Sequence, residues 1–187
     1  MKKINLFLGI ALLSLFVMSC GSNKEVAQQN QPAKLPCPDC TATKGEFKYL
    51  AQAIAETEYD VQAARTFAAQ TARDELQAMI ESVVQRSVDQ FTQQHRDGSD
   101  VKNIAKSTIQ SVGVIKGKIK NTPVTCWDTQ ETKSGKTIVY CCVEFSTEEV
   151  YKTVVETMSA DKELKIDFRQ DQYKNDFYKA LEEYNNN

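Results

Sequence analysis

The chain has 187 residues and a mass of 21.1 kDa, and setting aside a leader of about 20 residues leaves about 167, room for one compact domain. With 41% hydrophobic and 26% charged residues it matches ordinary globular usage, which excludes collagen-like, wholly disordered and multi-spanning membrane classes. A formal charge of -2 supplies no basic excess to neutralise phosphates, so nucleic acid is not an expected partner, and a single histidine, His95, removes most histidine-based catalysis and multi-histidine metal sites.

At the start, Lys2 and Lys3 precede the uncharged run LFLGIALLSLFVM, which fits the apolar region of a signal peptide and falls short of the roughly 20 residues a spanning helix needs. It ends in Val17, Met18, Ser19 and Cys20. This resembles the lipobox of bacterial lipoproteins, an aliphatic residue and two small ones before Cys, with Met18 standing where a smaller residue is usual. The resemblance implies that residues 1–19 are removed and that Cys20 carries a diacylglyceryl group and a further, palmitate-type chain on its amino group. Each buried CH₂ contributes about 0.8 kcal/mol, so several chains attach stably where one holds marginally. Asp after the Cys is the usual inner-membrane retention signal in such proteins. Gly21 stands there instead, which implies the outer membrane, with the domain facing the periplasm or the cell surface. Residues 20–46, the lipidated Cys and GSNKEVAQQNQPAKLPCPDCTATKGE, read as a flexible polar tether.

Residues 47–187 read as a single α+β domain, a small antiparallel sheet with a long amphipathic helix and further helices packed on one face. Phe47 to Ala55 alternates as a strand does, though it also fits the first turns of a helix. From about Asp60, Val61, Ala64, Ala68, Ala72, Leu76, Met79 and Val83 recur at three and four, a long helix ending near Asp97-Gly98. A second helix is predicted from a Ser99 cap through Val112. In GVIKGKIKN, Ile115, Gly117 and Ile119 alternate with Lys116, Lys118 and Lys120, which predicts a strand with three lysines on one face. That face is either a site for an acidic ligand, phosphate or lipid headgroup, or a solvated surface that deters edge pairing. VTCWDTQETKSGKTIVYCCVEF predicts a hairpin turning at Lys133-Ser134-Gly135-Lys136, with Val139, Cys141, Val143 and Phe145 facing the core. Ser146-Thr147-Glu148-Glu149 is a capping box that opens another helix, and a last helix runs from about Asp171 to Tyr184.

The stretch YLAQAIAETEYDVQAARTFAAQTARDELQAMI, followed by a Trp-bearing strand and IVYCCVEF, resembles the Lpp-twenty type of bacterial envelope lipoproteins over about residues 47 to 160. The glycine usual in that family's first strand is missing, and residues 97 to 112 look like an added helix. The family brings no catalytic motif to transfer, so the resemblance implies an envelope lipoprotein and no site residues.

Beyond Cys20, five thiols remain: Cys37 and Cys40 in CPDC, Cys126, and the adjacent Cys141 and Cys142. In an exported chain disulfides come first. A hairpin register centred on Ser134 sets Cys126 opposite Cys142 and predicts a bond between them, leaving a loop-like disulfide or free pair for Cys37 and Cys40. A zinc site is disfavoured because adjacent strand residues point to opposite faces. No cofactor is called for, and Asp128, Glu131 and Glu144 read as solvated carboxylates. The expected function is therefore a non-catalytic binding or structural domain, anchored through its lipid, whose partner is an envelope protein or peptidoglycan. The alternative is a thiol-disulfide redox protein using Cys37 and Cys40. Candidate contact surfaces are the three lysines and the far end of the long helix, where Val84, Val88 and Phe91 lie beyond the sheet-facing stripe, either exposed or packed under the second helix.

Overall fold

The computed structural model describes residues 35–41, 45–94, 101–161 and 170–186. The signal segment, Cys20 and most of the tether lie outside the described residues, as do His95, the Asp97-Gly98 end and the Ser99 cap. The elements in order are strand β1 (Glu46–Ala55), a single 3₁₀ turn (Glu58–Asp60), helix α1 (Val61–Gln94), helix α2 (Val101–Lys120), strands β2 (Val124–Glu131) and β3 (Thr137–Ser146), and helices α3 (Thr147–Ala160) and α4 (Gln170–Asn185). The architecture is α+β, as the sequence predicts, and Phe47 to Ala55 is a strand.

β3 is central, with β1 and β2 antiparallel on either side. The β2–β3 turn closes where Thr132 N–H donates to the Lys136 carbonyl at 2.8 Å, and Gly135, at φ 79°, takes the left-handed position that glycine tolerates. This turn puts Cys126 opposite Cys142 and Trp127 opposite Cys141, the expected register, with a bulge between Val124 and Cys126. Val139, Cys141, Val143 and Phe145 are buried, also as expected.

They pack against α1, whose first half presents Ala64, Ala68, Ala69 and Ala72. Side chains that small let a helix lie close on β1 and β3, its main contacts in the sheet. At the entry to α1 the Asp60 carboxylate accepts from the Thr57 N–H at 3.1 Å and its hydroxyl at 2.8 Å, which satisfies a donor the helix start leaves open. Farther along, larger side chains take over, because α1 now meets helices: Leu76, Ile80, Val83, Val84, Val88 and Phe91 are all buried. Phe91 meets Tyr173 of α4 edge to face at 5.9 Å. At the head of α3 the Ser146 hydroxyl accepts from the Glu149 N–H at 3.3 Å, as the capping box requires.

One element differs from its prediction. GVIKGKIKN is the continuation of α2, which runs unbroken to Lys120. Ile115 and Ile119 are four apart, so they satisfy a helical stripe as well as a strand alternation, and here they extend the buried row Ile104, Thr108, Ser111. Gly113 and Gly117 each cost about 1 kcal/mol against Ala in a helix, and burial of two isoleucines outweighs that. The meander is accordingly a two-stranded hairpin.

Candidate functional site

The chemistry-bearing residues gather on the face of the sheet turned away from α1. Cys141 points inward, so its neighbour Cys142 points outward, and cross-strand pairing puts Cys126 beside Cys142 on that outer face. Each is bonded to the CPDC segment: Cys37 to Cys126 and Cys40 to Cys142, both with a Cα separation of 5.8 Å. The four cysteines expected to form disulfides do so, with different partners. Neither Cys126–Cys142 nor Cys37–Cys40 is a bond. Instead the segment closes on itself through the Cys40 N–H to Cys37 carbonyl hydrogen bond at 2.8 Å, with Cys37 at φ 46° in the left-handed region, and lies across β3 and β2 as a strap. The compact unit starts at Leu35, so the strap belongs to the domain and not to the tether, and the boundary falls before Phe47.

Each bond joins one sealed cysteine to one half-buried cysteine, Cys126 in the first and Cys40 in the second. Cys37 and Cys142 are 2% and 1% exposed. Cys141, the free cysteine among the described residues, is buried against the core, and that burial pushes its thiol up to about 11, with Arg73 pulling slightly the other way. A thiol held protonated on the far side of the strand is neither a ready nucleophile nor placed to exchange with the strap. Among the described residues no group of three or more His, Cys, Asp or Glu is placed to hold a metal ion.

The three lysines do not form one surface. On a helix, Lys116 and Lys120 are four apart and share a side, while Lys118 lies about 200° from Lys116. Lys118 reaches α3, donating to Thr153 Oγ1 at 3.2 Å and pairing with Glu149 at 3.1 Å, so it bridges two helices. Only Lys116 and Lys120 remain together on an exposed side. Likewise Val84, Val88 and Phe91 are 0%, 3% and 0% exposed, so the far end of α1 is interior and not a contact surface. α4 meets Phe91 through Tyr173, and α1 packs against both α4 and α2.

Two features escape the sequence reading. Trp127, the single Trp, sits on edge strand β2 with Arg65 of α1 over its ring at 5.8 Å. The hairpin register carries part of this, since it sets Trp127 beside core-facing Cys141, but nothing in the spacing selects Arg65. The second is a buried polar contact between α1 and α4, where Ser87 Oγ and Tyr173 Oη are 3.0 Å apart. Burial holds the phenol well above its usual range, with the Ser87 bond opposing.

Comparison of the chain with family models, curated proteins and solved structures returned no match.

Proposed function

We propose that this chain is a bacterial envelope lipoprotein of the Lpp-twenty type, anchored in the outer membrane through a lipidated Cys20, whose domain binds an envelope protein or peptidoglycan and performs no catalysis. The observation that carries the reading is the double staple. Four cysteines from two distant parts of the chain are joined pairwise, and such bonds persist in oxidising compartments and are rare where thiols are kept reduced. A leader ending in Val17-Met18-Ser19-Cys20 delivers a chain to such a compartment.

The redox alternative needs Cys37 and Cys40 to cycle as a pair, and their separate bonds to β2 and β3 weigh against it. Its discriminating measurement is the reduction potential, which for structural bonds lies below about -300 mV and for a thioredoxin-like pair near about -270 mV. The anchor is tested with Cys20→Ser in the full chain, expressed in a bacterium that processes lipoproteins. The parent protein should take up labelled palmitate and fractionate with outer membranes, and the variant should lose both properties. A Cys20→Ser protein that is still cleaved and still floats with membranes overturns the anchor. Partners cross-linked in intact cells and co-purified with the parent protein then identify what the domain binds.

A further inference from the structure

The two edges of the sheet are built differently. β2 follows Pro123, carries a bulge between Val124 and Cys126, bears Asp128 and Glu131, and has Trp127 covered in part by Arg65. Bulges and charges of this kind blunt an edge against a further strand. β1 has neither proline nor bulge. Its ten residues pair with β3 in unbroken register from Glu46 opposite Ser146 to Ala55 opposite Thr137. Its only charges, Glu46 and Lys48, stand at its start, and the Lys48 ammonium is drawn to Glu46 at 3.1 Å, Glu144 at 3.4 Å and the Asp39 carbonyl at 3.2 Å. From Tyr49 to Ala55 the edge is uncharged, and among the described residues no strand pairs with its far side.

Exposed apolar side chains flank this edge. Leu50 and Ile54, on the outer face of β1, are 37% and 58% exposed. Tyr59 in the turn after β1 and Phe67 on α1 are also exposed. Phe67 lies two residues, about 200° of helix, from Arg65, which reaches over β2, so Phe67 projects away from that side. A long, flat, apolar edge is a pairing site for another strand.

We propose that the free edge of β1 pairs antiparallel with the same edge of a second copy of this chain, joining two three-stranded sheets into one across a two-fold axis. The occupant follows from self-complementarity, which an isologous contact requires. A centre on a residue, not between two, keeps the helices of both copies on one side of the joined sheet, because paired residues point the same way. Of such registers, the one centred on Gln52 sets each Leu50 against the other copy's Ile54 and each Lys48 against the other copy's Glu56. Centring on Ala51 would set Lys48 against Ile54, and centring on Leu50 would set Glu46 against Ile54. Glu56 already holds Lys136, so the Lys48 pairing selects the register more than it adds affinity.

The test uses the purified full chain in density-matched detergent. Sedimentation equilibrium should show a reversible dimer. Gln52→Lys, which places like charges across the axis, and Ile54→Lys, which removes the apolar pair, should each weaken dimerisation at least tenfold, while circular dichroism and melting at concentrations where the parent is monomeric stay unchanged, since both positions are exposed. Benzoylphenylalanine introduced at Ile54 should cross-link, on illumination of the purified protein, to residues 46–56 of a second copy. A monomer at every concentration, a dimer indifferent to both substitutions, or a cross-link that maps to another segment of the same chain overturns the proposal.

Discussion

On one face of the sheet, Phe47, Ala51, Val139, Cys141, Val143 and Phe145 are buried, and on the other a strap of residues 35–41 is bonded to Cys126 and Cys142. The strap, Leu35-Pro36-Cys37-Pro38-Asp39-Cys40-Thr41, leaves Leu35 74% exposed and has little else apolar to bury, so desolvation alone cannot hold it there. The helical face is the reverse case. Its attraction is spread over many side chains, none decisive, and it needs no particular redox state. The domain thus depends on its compartment through one face only, and the two faces should fail under different treatments.

Reduction should have the largest effect. The Cys37–Cys126 bond spans 89 residues of sequence, and in the chain-entropy model a loop near 100 residues is worth about 4.7 kcal/mol. With that loop closed, Cys40–Cys142 closes a further loop of only about 20 residues, for about 3 kcal/mol more. Urea unfolding with and without reductant should therefore differ by several kcal/mol, and Cys37→Ser with Cys40→Ser should reproduce the reduced value. A stability that reductant leaves untouched would mean the strap is held by packing after all. On the covered face, Leu76→Ala removes a fully buried side chain and should cost about 3 kcal/mol in either redox state. If the loss doubles on reduction, the two faces are coupled and the division between them is wrong.

Cys141 supplies a smaller, pH-dependent effect, because its burial favours the neutral thiol in the folded chain only. The unfolded chain releases that proton near the ordinary value of about 8.5. Stability from this group is complete below that pH and is lost as the pH rises through about 11, amounting to about 1 to 2 kcal/mol by pH 10. Unfolding measured from pH 8 to pH 10 should show the decline, and Cys141→Ala should flatten it. An unchanged slope in the variant would assign the decline to the tyrosines, several of which burial also raises.

The hairpin was legible because three signals agree on it: β-branched runs, a turn with glycine at the left-handed position, and an alternation that a one-residue slip would invert. The long helix was legible for the same reason of period. GVIKGKIKN was not, since two isoleucines four apart serve a strand and a helix equally, and the choice belongs to α3, against which α2 packs. The disulfide partners were hidden because the strap has the composition of a linker. Five thiols allow many pairings, and cross-strand proximity of Cys126 and Cys142 is compatible both with a bond between them and with two bonds to a third segment. The contact of Phe91 with Tyr173 of α4 comes from about eighty residues on, which no periodicity within α1 can reveal.

The smallest effect separates the covered face from its rim. Trp127 shares the helical side with Cys141, yet it is 42% exposed, because it stands on edge strand β2 where α1 offers only Arg65 over the ring. A cation held over an aromatic ring at an exposed site contributes about 0.5 to 1 kcal/mol, so Arg65→Ala should lower the midpoint of thermal unfolding by about 4 °C or less. Trp127 is the single Trp, so its emission reports on that site alone, and the variant should show a shift to the red as water replaces the guanidinium. A loss as large as that of Leu76→Ala would place Trp127 inside the core, and the covered face would then extend to the β2 edge instead of stopping at β3.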